Sequence, residues 1–338
     1  MKLRIAIYIL YFLLLVFGAI GIIISINILL DPSIQKYVWG IIKYDSTERE
    51  ILSKIGEYFG GFIGTIFGIT STLLIVVSLI KGNIDSHKTN LINVYFKMLE
   101  FHHSNVTALS ISGLYKSSQK INGRRAFVTF TSQLYKIYGE VISIHNSLEH
   151  KLSIGQMISI TFSAFYHGID KESESRLKLK IRLACPLLNE DKINTIFSIL
   201  KNKKDELKEG LTKKDEINDE SSIDSSDKKR NLNLGITNET SLSAYFSNMY
   251  QAIKLIDDDK YFTQQEKYNY IQILKSQLSV RERIILFTYI MSPNGKQWIS
   301  NRYIEKYNFF NLDAIPDDTT LTLREIYETA YIDESLIH

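Results

Sequence analysis

The 338-residue sequence predicts an all-α protein: an N-terminal two-helix transmembrane hairpin followed by a cytosolic α-helical bundle. Three observations predict it. Ile5 to Leu30 and Tyr58 to Ile80 run for 26 and 23 residues without a charged side chain, each longer than the ~20 residues a helix needs to cross a hydrocarbon core. Elsewhere the apolar residues recur at spacings of three and four rather than two, the helical period. Prolines, which break helices, number only four in the whole chain.

Composition narrows the function classes. The 40 basic and 37 acidic residues leave a net charge of +3, too balanced for a dedicated nucleic-acid binder. A single cysteine, Cys185, excludes a disulfide framework and a Cys-cluster zinc site.

The first apolar run begins after Lys2 and Arg4 like a signal peptide. It is far longer than the ~7–15 apolar residues of such a leader. Asp31-Pro32 then ends it, so a retained anchor is expected. The hairpin is assigned to residues 1–82, with spans at about 5–30 and 56–80. The intervening loop carries four basic and five acidic residues. Lys2 and Arg4 precede the first span, and Lys81, Lys88 and Lys97 follow the second. The positive-inside rule then puts both termini in the cytoplasm, making a multi-pass membrane protein.

The second span holds the sharpest pattern in the chain. Gly56, Gly60, Gly64 and Gly68 fall at every fourth residue, and Thr72 continues the row. A spacing of four gathers them on one helix stripe, where a second helix can approach closely in lipid. The stripe can receive the first span, through Gly18 and Gly21, or a second copy of the chain, giving a homo-oligomer. Neither charge-free run, Ile5–Leu30 or Tyr58–Ile80, contains Asp, Glu, Lys or Arg, which argues against a transporter or proton relay.

A cytosolic helical region is expected over 83–210. Leu91, Tyr95, Met98, His102, Val106 and Leu109 share one face. Phe127, Phe130, Leu134, Ile137, Val141, Ile144 and Leu148 alternate spacings of three and four, the seam of a coiled coil or of an intramolecular bundle. Lys201 to Arg230 holds nine basic and nine acidic residues, and 211–236 reads as a flexible charged linker or exposed loop. A C-terminal helical region follows over 237–338. Ser153/Gln156, Thr263/Glu266, Ser279/Glu282 and Thr322/Glu325 have capping-box spacing, and Pro293-Asn294-Gly295 is a turn.

These C-terminal residues carry a resemblance. Ala244–Tyr250, Ile253–Asp257 and Tyr270–Ser279, with Glu282 and Leu286-Phe287, resemble the phage abortive infection protein family of the AbiC type. The Gly-rich second span Tyr58–Gly68, the cluster His102-His103-Ser104-Asn105 and the element Gly123-Arg124-Arg125-Ala126-Phe127 are similar to features of that family. The family's Tyr-Phe-Arg is here Tyr245-Phe246-Ser247, and the resemblance leaves about 150–236 uncovered. It implies a role in bacterial antiphage defence and no known reaction.

No recognisable catalytic motif is present: no Gly-x-x-x-x-Gly-Lys-Ser/Thr loop, Gly-x-Ser-x-Gly elbow or His-Glu-x-x-His helix. None of the seven His follows an Arg by four to six residues. No metal or cofactor is therefore expected. Adjacent histidines on a helix diverge by about 100°, so His102 and His103 are poorly placed to chelate one metal. Arg124 and Arg125 open the long seam helix, where cations oppose the dipole and hint at an anionic partner. Tyr245, Phe246, Tyr250, Tyr261, Tyr268 and Tyr270 alternate with Lys254, Lys260, Lys267 and Lys275, a composition suited to core packing or to stacking on single-stranded nucleic acid. The candidate ligand or partner contacts are His102, His103, Arg124, Arg125, Tyr245 and Tyr250. The expected function is a membrane-anchored defence effector that oligomerises and perturbs the membrane on infection. Its partners would be the lipid bilayer, a second copy, and a phage component or cognate regulator. The alternative is a membrane-tethered nucleic-acid-binding module or nuclease.

Overall fold

The computed structural model describes residues 2–30, 32, 50, 53–54, 56–57, 59–111, 120–148, 151–215 and 237–310. The chain divides into two compact units, residues 1–90 and 91–338. The regions 83–210 and 237–338, separate in the sequence, therefore fall largely in one unit. Most of the predicted linker, and the helix expected after Thr322, lie outside the described residues.

The first unit holds helix α1 (Lys2–Leu29), a π-helical turn (Phe59–Ile63) and the start of α2 (Gly64–Ala108). Both helices are long and apolar enough to cross a membrane, and almost none of their most apolar stretch is buried. Phe12 and Leu15 are 65% and 68% exposed. Core helices of a soluble domain would have hidden such residues. Three of their hydroxyls are satisfied inside the helix, as a hydrocarbon environment demands. Ser25 Oγ donates to Gly21 O at 2.8 Å, Thr70 Oγ1 to Ile66 O at 2.9 Å and Thr72 Oγ1 to Gly68 O at 2.9 Å.

The glycines of this unit differ. A Cβ at Gly21 would sit 3.1 Å from the Ile66 side chain, and one at Gly18 would touch Thr70. The close approach of α1 to the second span thus uses the glycines of α1. A Cβ at Gly56, Gly60, Gly64 or Gly68 would meet nothing within 4 Å.

The second unit begins within α2, at Leu91. A two-residue antiparallel ladder, β1 (Ser110–Ile111) with β2 (Ile121–Asn122), follows that helix. A 3₁₀ turn (Gly123–Arg125) then leads into α3 (Ala126–Ser147). Next come α4 (Ile154–His167), α5 (Glu174–Ala184), α6 (Glu190–Asp215), α7 (Glu239–Asp257), α8 (Gln264–Ser276), α9 (Val280–Ile290), α10 (Lys296–Ser300) and α11 (Tyr303–Lys306).

The seam predicted from spacing faces inward. Phe127, Phe130, Leu134, Ile137, Val141 and Ile144 are all buried, and α3 packs on α4, α6 and α9. It is therefore a bundle helix, held by partners in its own chain. At the centre is α4, in which only Ile154 and Gln156 escape burial. A helix buried on every side has no solvent face to offer. Phe162 on α4 meets Phe165, Tyr166, Phe246 and Tyr289, and Phe246 stacks on Tyr289 with centroids 4.0 Å apart.

The capping boxes at Ser153/Gln156, Thr263/Glu266 and Ser279/Glu282 all form, each with both reciprocal bonds. They start α4, α8 and α9 as the sequence dictates. In the turn after α9, a Cβ at Gly295 would lie 2.4 Å from Tyr289 O, so only glycine lets the chain fold back there.

Candidate functional site

Four side chains distant in sequence converge in the second unit. His102 lies on the α2 face that Tyr95, Leu99 and Val106 also occupy, because residues three and four apart share a face. It is 1% exposed, and neither ring nitrogen has a hydrogen-bonding partner in the protein. Its ring lies 5.1 Å from that of Tyr245 on α7, tilted 44°. Tyr245 is fully buried with its hydroxyl unpartnered, and its ring also meets Phe127 at 5.3 Å.

Glu282 is fully buried at the third position of α9. Its Oε2 accepts from Ser279 N at 2.6 Å, completing the cap, while Oε1 has no partner. Arg124 approaches from the 3₁₀ turn. The ladder and the left-handed Gly123, at φ 64°, return the chain beside the end of α2, with Gly123 N donating to Leu109 O at 2.8 Å. That return brings Arg124 Nε to 3.8 Å from Glu282 Oε2, and its Nη2 donates to Gln277 O at 2.7 Å.

The electrostatics follow from burial. Desolvation holds the His102 imidazole below its ordinary value of 6.5, assisted by Arg124 and His103 and opposed by Glu282. Burial likewise pushes the Tyr245 phenol well above its ordinary value, with Glu282 adding to the effect. Each buried polar atom left without a partner costs roughly 1–3 kcal/mol, so a cluster of them is costly to maintain. Such groups call for an explanation.

His102 and Arg124 line an open cavity of about 430 Å3, together with Phe96, Glu100, His103 and Gln277. Phe96 is 42% exposed, and the Arg124 side chain is about half exposed. The cavity thus offers an aromatic face, one fixed cation, one acid and a buried uncharged imidazole.

A second buried histidine has its partners supplied. His167 Nδ1 lies 3.2 Å from Glu239 Oε2, which also accepts from Arg176 Nη1 at 2.6 Å. Burial lowers His167 despite Glu239. This trio ties α4, α5 and α7 together.

Of the residues singled out by sequence, His102, His103 and Arg124 share the cavity, while Arg125 is exposed and does not line it. Tyr245, a candidate contact by sequence, is directed by the helical face of α7 into the core, where it is fully covered. Tyr250 lies elsewhere, half-buried beside Trp298 and Tyr303, its hydroxyl accepting from Asn301 Nδ2 at 3.2 Å. The Tyr/Lys run does not present one surface. Phe246 is buried, Lys275 donates to Asn308 O at 2.6 Å, and the buried Lys267 donates to Asp257 O. The sequence marks Glu282 as a cap and, with Gln277, as part of the family-like stretch, and no pattern in it points to Phe96, which lies off the apolar face of α2.

Residues 237–316 match the family described as "Putative phage abortive infection protein". The match spans α7 to α11, including Tyr245, Gln277 and Glu282, and leaves α1, α2, His102 and Arg124 outside it. No curated protein and no solved structure matches the chain.

Proposed function

We propose that the chain is a membrane-anchored effector of antiphage defence, whose cytoplasmic body senses infection and whose spans then oligomerise and perturb the membrane. The observation that carries the membrane part is the outward exposure of apolar side chains along both long helices of the first unit. The family match over 237–316 supports the defence part. Self-association is supported by the row Gly56, Gly60, Gly64 and Gly68, where added side chains would find open space within one chain. Gly64 and Gly68 leave a bare surface at the start of α2, and a surface of this kind favours close packing of a second helix in lipid. Gly64 and Gly68 of this row and His102 lie on the one helix α2.

The test is protection of cells against phage, with membrane potential followed during infection. Replacing Gly60, Gly64 and Gly68 together by Leu should abolish protection at unchanged expression and membrane insertion. Full protection by the triple variant would reject oligomerisation through this row. Recovery of the full-length chain in the aqueous fraction of a detergent-free lysate would reject the membrane anchor itself.

A further inference from the structure

We propose that the cavity beside His102 binds a mononucleotide, its phosphate at Arg124, its base over Phe96 and the polar edge of that base toward His102. The site is built rather than incidental. His102 is 1% exposed, lines the cavity, and has no partner for either ring nitrogen. Behind it, Tyr245 Oη and Glu282 Oε1 are equally buried and equally unpartnered.

The lining selects the ligand chemistry. Arg124 spends Nη2 on Gln277 O and turns Nε toward Glu282, which leaves Nη1 for an anionic oxygen, the guanidinium's preferred partner. An anion alone is poorly matched, because Glu100 stands in the same lining and Glu282 lies just beneath. A ligand that carries one anionic group and also N–H donors satisfies both signs at once. Phe96 adds an exposed aromatic face suited to a planar ring. The His102 imidazole, kept neutral by its burial, leaves one donor and one acceptor without a partner at the edge of this cavity, and the edge of a nucleobase can pair with whichever of the two nitrogens it reaches. A volume of about 430 Å3 falls in the ~300–1,000 Å3 range of small-molecule sites. The cavity is open and lies within one unit, and its volume is that of one small ligand, so a monomeric nucleotide suits it better than a strand.

This gives the ligand class for the sensing step of the reading above, and it is tested apart from that reading. Full-length protein in detergent micelles is dialysed to equilibrium, at physiological ionic strength, against radiolabelled AMP, GMP, CMP and UMP. Parallel arms use the matching nucleosides, inorganic phosphate and a single-stranded oligonucleotide. At least one nucleotide should bind saturably at one site per chain, about tenfold or more tighter than its nucleoside or phosphate alone. Arg124→Gln should weaken the nucleotide about tenfold while leaving the nucleoside unchanged, Phe96→Ala should weaken both, and Arg125→Gln should weaken neither. Both weakened variants alter exposed side chains; Phe96→Ala should melt with the parent, and Arg124→Gln, which gives up the pairing of a half-exposed guanidinium with Glu282, should still be fully folded at the temperature of the binding assay. The proposal is overturned by absent saturable binding of all four nucleotides, by phosphate binding as tightly, by tighter binding of the oligonucleotide, or by Arg124→Gln with unchanged affinity. The glycine variants above report on the membrane step without reference to any of these results.

Discussion

Replacing Glu282 separates two roles that meet in one side chain. Its Oε2 accepts from Ser279 N at 2.6 Å while Ser279 Oγ accepts from Glu282 N at 3.3 Å, and its Oε1 is buried without a partner. Glu282→Ala removes the N3 half of the box, strands Ser279 N–H and leaves a small void. The lost cap costs about 1 kcal/mol, and the stranded amide adds about 1 kcal/mol more. Arg124, at 3.8 Å and half exposed, adds at most about 1 kcal/mol of ion pairing. A loss of about 2 kcal/mol lowers the melting temperature of a unit this size by about 4–8 °C. Glu282→Gln keeps an acceptor for Ser279 N–H, since Gln also completes the box. Its amide N–H2 then stands where Oε1 was orphaned and can donate toward His102 or Tyr245. Its stability should fall within about 0.5 kcal/mol of the parent. Thermal unfolding of the full-length protein in detergent, followed by helical circular dichroism, decides it. A Gln variant as destabilised as the Ala variant would refute the capping argument and assign the energy to the charge.

Other outcomes are expected. Burial holds His102 and His167 below their ordinary 6.5, so the unfolded chain binds their protons first as pH falls. Stability should therefore be full above about 6.5 and decline as pH drops from there toward the depressed folded values. Melting temperatures across pH 5–8 check this, and His102→Gln should flatten the slope. In a Cys185→Ala background, Gly18→Cys with Thr70→Cys should crosslink on oxidation, because a Cβ at Gly18 lies 4.0 Å from the Thr70 methyl. Gly18→Cys with Gly68→Cys should crosslink within a chain far less. Gly21→Leu should lower the yield of the first crosslink, since its Cβ meets Ile66 at 3.1 Å. Tyr245→Phe removes an unpartnered buried hydroxyl and should leave stability unchanged or raised by up to about 1 kcal/mol, measured by the same melting curves.

The helical reading was legible because it rests on local rules. The Phe127–Ile144 seam is buried as its spacing required. Three capping boxes started helices where their Ser or Thr stood. The seam's partners were not legible. A spacing of three and four fits a coiled coil and a bundle equally, and only the packing of α4, α6 and α9 around α3 decided between them. The glycine row was equally visible, yet which glycines the hairpin uses depended on helix rotation. Gly18 and Gly21 face the partner helix, and Gly56 to Gly68 face open space.

Sequence by itself determined where the chain is apolar enough to enter a bilayer, where its helices begin, and that its body is helical, because charge, period and caps act over a few residues. Tertiary structure alone decided that His102, Arg124, Tyr245 and Glu282 belong together, that Tyr245 is sealed in the core, and that His102 looks onto a cavity. Those facts depend on contacts between α2, the turn before α3, α7 and α9, which lie up to 180 residues apart. No local pattern encodes the meeting of segments so distant; burying their shared apolar faces brings them together, and the polar atoms carried along are buried without partners.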